Sequence, residues 1–237
     1  MPTPHPPDPA FAALQLSDSF FPSGMYATSS GLEAIFYEGG RAKLEALRGR
    51  LPALLETYIS NQLGPVDCVL LSNAYDFALR SDLPGLLDLD RMAHCLRPVK
   101  EIREASARSG SQLLRCVSAF GNGGFLDEYY QAVKRDEASG TYPISLAIAC
   151  YSLGLTKESA CQVLLYSAAV SIVGSALRLG VLDHLEGQRL LHELSPCVQR
   201  AVQRYSATPL SGLWQFDPEI QLYQVRHERM KSKMFIT

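Results

Sequence analysis

Leu44, Leu47, Leu51, Leu54, Leu55, Tyr58 and Ile59 recur at steps of three and four residues, which gathers them on one face of an α-helix. The same spacing returns along nearly the whole chain. No stretch alternates apolar and polar residues for long enough to demand a strand. A chain of 237 residues buries a substantial core, and no repeat or linker divides it. The reading is an all-α fold: a single compact domain of roughly ten helices with no sheet.

Local signals divide that fold into helices. Pro52 lacks an amide donor and is expected to break or kink the first long run, which the Gly64-Pro65 pair then ends. Val66 to Arg80 reads as the next helix, and "DLPG" opens another with Pro84 in its first turn. A long helix from Val99 stops at "GNGG", residues 121–124. Further helices are expected over 125–138, 143–153, 157–179, 185–194 and 196–206, with "SGTYP" as a turn. Asp217, Pro218 and Glu219 make a good N-cap and first turn for a last helix. Five of the first ten residues are proline, so residues 1–10 read as a flexible, extended arm without the basic and apolar regions of a signal peptide. Residues 11–237 read as the domain, ending in a tail over 217–237.

Composition removes several function classes. Apolar residues make up 47% and charged ones 19%, with a formal net charge of −2. That balance gives no general attraction to nucleic acid or to an anionic membrane. The apolar run Cys161 to Leu182 is long enough to span a bilayer, but Ser167, Ser171 and Ser175 place a small polar stripe on it. Such a stripe suits close approach by a helix of the same subunit or of a second one. Six cysteines without a C-x-x-C pair read as free thiols in a reducing compartment.

Catalytic and metal signatures are missing. "FPSG" lacks the flanking glycine and the strand of a nucleophile elbow. "GNGG" follows a helix and lacks the Lys-Ser/Thr of a phosphate loop. "HERMK" at 227–231 lacks the second histidine of a zinc-peptidase motif. His5, His94, His184, His192 and His227 include no pair at helical ligand spacing. No catalytic residue, metal ligand or cofactor is assigned. The basic tail "RHERMKSKMFIT", with its interleaved Met and Phe, reads as a partner-binding segment or a solvated helix end.

Four blocks of the sequence are similar to the urease accessory protein UreF family. They are Leu14 to Glu33 with Pro22-x-Gly24 and Ser29-x-Gly31-x-Glu33, then "EIREASARSGSQLL" from Glu101, then the segment around Arg178-Leu179-Gly180, then "VRHERMKSKMF". Thr28 stands where that family usually shows histidine, Thr141 and Tyr142 where it often has one, and Asp183 where glycine is common. The resemblance implies a cytoplasmic, non-enzymatic maturation protein, a homodimer. It would link a UreD/UreH-type protein and the UreG GTPase for GTP-dependent nickel insertion into the urease apoprotein. A nickel metallochaperone that binds the metal itself is the alternative, and a helical enzyme with an unrecognised site is a third.

Ser30 and Glu33 have capping-box spacing, so Ser30 is expected to cap the helix carrying Leu32, Ile35 and Phe36. Phe20 and Phe21, in the turn before it, either plug the core or anchor a partner. The candidate partner-contact residues are Phe20, Phe21, Arg226, His227, Arg229, Lys233 and Phe235. Too few apolar residues sit in the last dozen to form a core alone, so those residues are expected to be mobile until a partner orders them.

Overall fold

The computed structural model describes residues 8–39, 44–121 and 123–237. Among them there is no strand, and the helices follow the spacing of the apolar residues. They are α1 (Pro9–Ser17), α2 (Leu32–Gly39), α3 (Leu44–Tyr58), α4 (Val69–Leu79), α5 (Leu83–Cys95), α6 (Lys100–Val117), α7 (Phe125–Lys134), α8 (Tyr142–Ser152), α9 (Lys157–Arg178), α10 (His184–Glu193), α11 (Ser195–Tyr205) and α12 (Pro218–Glu228). Of the expected arm, residues 1–7 lie outside the described residues. Asp8 does not extend it but caps α1, accepting from the Ala10 amide.

α8 is the axis of the molecule. Its residues from Tyr142 to Cys150 are all buried, as a helix that is apolar all round must be. α4, α6 and α9 pack directly on it, and α5 and α7 close its remaining side. The turn before it is held by Asp90 of α5, whose carboxylate accepts from the Ser139, Gly140 and Thr141 amides. α6 crosses this turn at Gly110, where an added Cβ would stand 2.0 Å from the Gly140 carbonyl oxygen. α9 passes the length test for a membrane span, yet most of it is buried against neighbouring helices.

Neither proline breaks the run. Pro52 lies inside α3, and the Gly64-Pro65 pair does not end the helix. The chain continues from Tyr58 through a π-helical segment, Ile59–Cys68, straight into α4. Bonding to the fifth residue back widens the turn, which accommodates both the missing amide and the ring. Gly64 is needed there because Tyr205 of α11 packs where its Cβ would be, 2.6 Å away. This continuous rod, residues 44–79, is the support on which α11 sits.

Candidate functional site

Between α1 and α2 the chain turns sharply through a joint. Gly24 and Gly31 both adopt positive φ, 84° and 93°, which glycine alone enters without strain. Gly31 carries a second constraint, since α12 crosses so closely that a Cβ would lie 3.2 Å from the Gln224 amide. A single 3-10 turn, Met25–Ala27, lies between the two glycines. The joint is pinned to α9 by Ser171, whose hydroxyl bonds the Met25 carbonyl at 2.6 Å and the Thr28 hydroxyl at 2.8 Å. Ser171 of the small stripe on α9 thus receives the joint of the same chain. Ser175 turns back to its own helix at the Ile172 carbonyl.

The expected capping box does not form. Ser30 itself has φ 53° and the Glu33 amide points at Ser29 Oγ. The Glu33 side chain turns inward and is fully buried. Its partners come from the far end of the chain. Glu33 Oε2 meets His227 Nε2 at 2.8 Å, while its two oxygens accept from the Met234 and Phe235 amides at 2.7 and 3.1 Å. On the other side of the ring, His227 Nδ1 meets Glu101 Oε2 of α6 at 2.7 Å. The second oxygen of Glu101 binds Lys233 Nζ at 2.6 Å. Both contacts to the ring are hydrogen bonds only if the group holds one proton more than a neutral imidazole between two carboxylates. With that proton shared in the group and Lys233 beside it, the charge of the two carboxylates is balanced, which is how a buried polar cluster becomes tolerable.

The remaining tail continues this closure. Ile236 donates to the Ala27 carbonyl at 2.8 Å, and the Ser29 amide donates to the Thr237 carbonyl at 2.7 Å. Arg178 of α9 lies between two rings, 4.0 Å from the centroid of Tyr26 in the joint and 4.4 Å from that of Phe235. The tail is therefore seated within the chain, contrary to the expectation that its last dozen residues stay mobile. Buried ion pairs, backbone bonds and a stacked guanidinium replace the apolar contacts it lacks.

The seven candidate contact residues divide. His227 is wholly buried and Phe235 nearly so. Phe21 is half-buried against the core. Lys233 is tied to Glu101, and Arg226 to Glu38 at 2.5 Å. Phe20, at 91% exposure, and Arg229 face outward. Sequence reasoning missed Glu33, Glu101 and Arg178 as members of this centre. A signal existed: each lies in one of the quoted blocks, and His227 lies in the fourth. The residues standing in place of the expected family types have local work as well. Thr28 bonds Ser171, Thr141 bonds Asp90, and Asp183 forms a capping box with Glu186 at the start of α10.

Among the described residues, no group of three or more His, Cys, Asp and Glu side chains is arranged to hold a metal. The arrangement defines an all-helical protein whose buried polar centre is a closure, with no reactive atom of His227 open to a substrate. The UreF family profile matches residues 48–195, more than half of the chain. This chain belongs to the UreF family of urease accessory proteins. It is 28% identical over 228 residues to the urease accessory protein UreF of Trichodesmium erythraeum (strain IMS101), covering 94% of this chain and 95% of that one. It is 29% identical to the UreF proteins of Bacillus sp. (strain TB-90) and Arthrobacter sp. (strain FB24), again across at least 94% of each chain.

Proposed function

We propose that this chain is a non-catalytic adaptor in urease maturation, joining a UreD/UreH-type protein and the GTPase UreG for nickel insertion into the urease apoprotein. It acts in the cytoplasm and as a homodimer. The observation that carries the reading is the seated tail. With His227 and Phe235 turned inward, Arg229, Met234 and Ile236 are held outward on a fixed backbone, Met234 at 59% and Ile236 at 42% exposure. A preorganised apolar and basic surface of this kind loses little entropy on docking, and Met with Arg suits an interface. Family membership supplies the class of process, and the surface supplies a place for contact.

Co-expression with a UreD-type protein followed by pull-down tests this. The wild-type chain should be retained, and Arg229→Glu with Met234→Asp should lose the partner while melting at an unchanged temperature. Retention at full strength by that double variant would move the docking surface elsewhere, with Phe20 the next candidate. Tight one-to-one nickel binding by the isolated monomer in equilibrium dialysis would replace the adaptor with a metal carrier.

A further inference from the structure

Beneath the joint lies a cavity of about 80 Å³. Its lining comes from the joint, the rod, Arg97, α6, α8, α9 and Thr237 of the tail, and mixes apolar side chains with polar ones. Asp67, in the π-helical segment, is 2% exposed, and one of its carboxylate oxygens pairs with Arg97. The other, Oδ2, has no protein partner. Hydroxyl-bearing Thr28, Ser30, Ser106 and Ser109 also line the space.

A second, smaller cavity of about 10 Å³ lies on another side of Arg97, under α12. Gln62 of the rod and Gln224 of α12 both line it, at 5% and 3% exposure. Gln62 Oε1 is an acceptor without a donor, and Gln224 Nε2 is a donor without an acceptor. The two amides are complementary and are not hydrogen-bonded to each other.

We propose that both spaces are permanent water sites, so that the joint and α12 rest on the rod through ordered water. One water needs roughly 10–15 Å³ of such space, so the smaller is about the size of a single molecule and the larger has room for several. One water donates to Asp67 Oδ2 and bonds the neighbouring hydroxyls. Another donates to Gln62 Oε1 and accepts from Gln224 Nε2. Three alternatives fail on the same observations. A dry cavity would leave a buried carboxylate oxygen unsatisfied, a cost that folded chains avoid. A bound cation would need uncompensated negative charge, and Arg97 already neutralises Asp67. An organic ligand of ordinary size does not fit in 80 Å³. Burial also pushes the Asp67 carboxyl above its usual range, with Arg97 opposing the shift.

The test is a high-resolution crystal structure of the full chain, solved in air and again under xenon pressure, with anomalous data collected. The expected result is water density within hydrogen-bond reach of Asp67 Oδ2, a single peak between Gln62 and Gln224, and no xenon in either space. Xenon in the larger cavity, empty density beside Asp67, or an anomalous ion peak there would each overturn the proposal. In the Gln62→Leu variant, crystallised the same way, the smaller peak should vanish while the larger cluster stays. Persistence of the smaller peak would show that the two amides do not hold it.

Discussion

Replacing His227 by alanine tests the closure most directly. The imidazole is wholly buried between Glu33, itself 0% exposed, and Glu101. Its removal takes away two charge-assisted hydrogen bonds, each worth about 1.5–3 kcal/mol. It also leaves two carboxylates facing a void, and losing one partner of a buried ion pair costs about 3–5 kcal/mol. These figures describe the same loss and do not add. Glu33 keeps the Met234 and Phe235 amides, and Glu101 keeps Lys233, so a net cost of about 4 kcal/mol is expected. In a chain of this size that lowers the Tm by roughly 10 °C. Urea unfolding at pH 7 measures it, alongside hydrogen exchange at the Met234 and Phe235 amides, which should lose protection first. His227→Gln, which retains a single donor group, should fall between wild type and alanine. A double-mutant cycle with Glu33→Ala should show coupling well above the scatter of independent sites. A loss under about 1 kcal/mol, or strict additivity in the cycle, would refute the claim that these charges hold the tail.

Deleting Arg226 to Thr237 should lower the melting temperature and expose the Glu33 carboxylate, and an unchanged melt by circular dichroism would show that the tail is not seated in solution. Gly110→Ala should cost about 3 kcal/mol or more, because its Cβ meets backbone that cannot yield; wild-type urea stability would contradict the close crossing of α6 and the α8 turn. Ser171→Leu should destabilise the joint by roughly 1–3 kcal/mol without altering the oligomeric state read by light scattering. Burial pushes the Tyr58 phenol from its usual 10 up to about 12. The folded state therefore holds that proton more tightly than the unfolded one, and the associated stability, up to about 3 kcal/mol, is present below pH 10 and lost as pH rises from 10 through 12. Tyr58→Phe should flatten that decline in urea titrations; parallel losses in both proteins would mean that Tyr58 is open to water.

Much of the architecture was legible because helix signals are local. Asp217 caps the helix it was expected to cap, α5 opens at "DLPG" with Pro84 in its first turn, and α9 begins and ends within a residue of its reading. The errors share one cause. Glu33 three residues after Ser30 looks like a cap because spacing rules see only neighbours, whereas its partner is His227. Gly64-Pro65 looks like a stop because nothing nearby says that Tyr205 will pack there. The tail looked unable to fold because apolar residues were counted and carboxylates elsewhere were not. His227 alone on its helix carried no ligand pattern, and the two glutamates that make sense of it are on α2 and α6. Family resemblance found the four blocks without saying that they meet.

His227 and Glu33 are 194 positions apart. At roughly 5–20 residues per second, a growing chain on the ribosome spends about 10–40 s between making the one and making the other. Throughout that interval α2 carries an acidic side chain whose final pocket has no opposite wall, so its carboxylate stays in water and the joint stays open. Only a nascent chain translated through its last helix can draw that group inside. Premature termination anywhere upstream of His227 yields a product without the imidazole and the two tail amides that close around Glu33, and its seam stays hydrated.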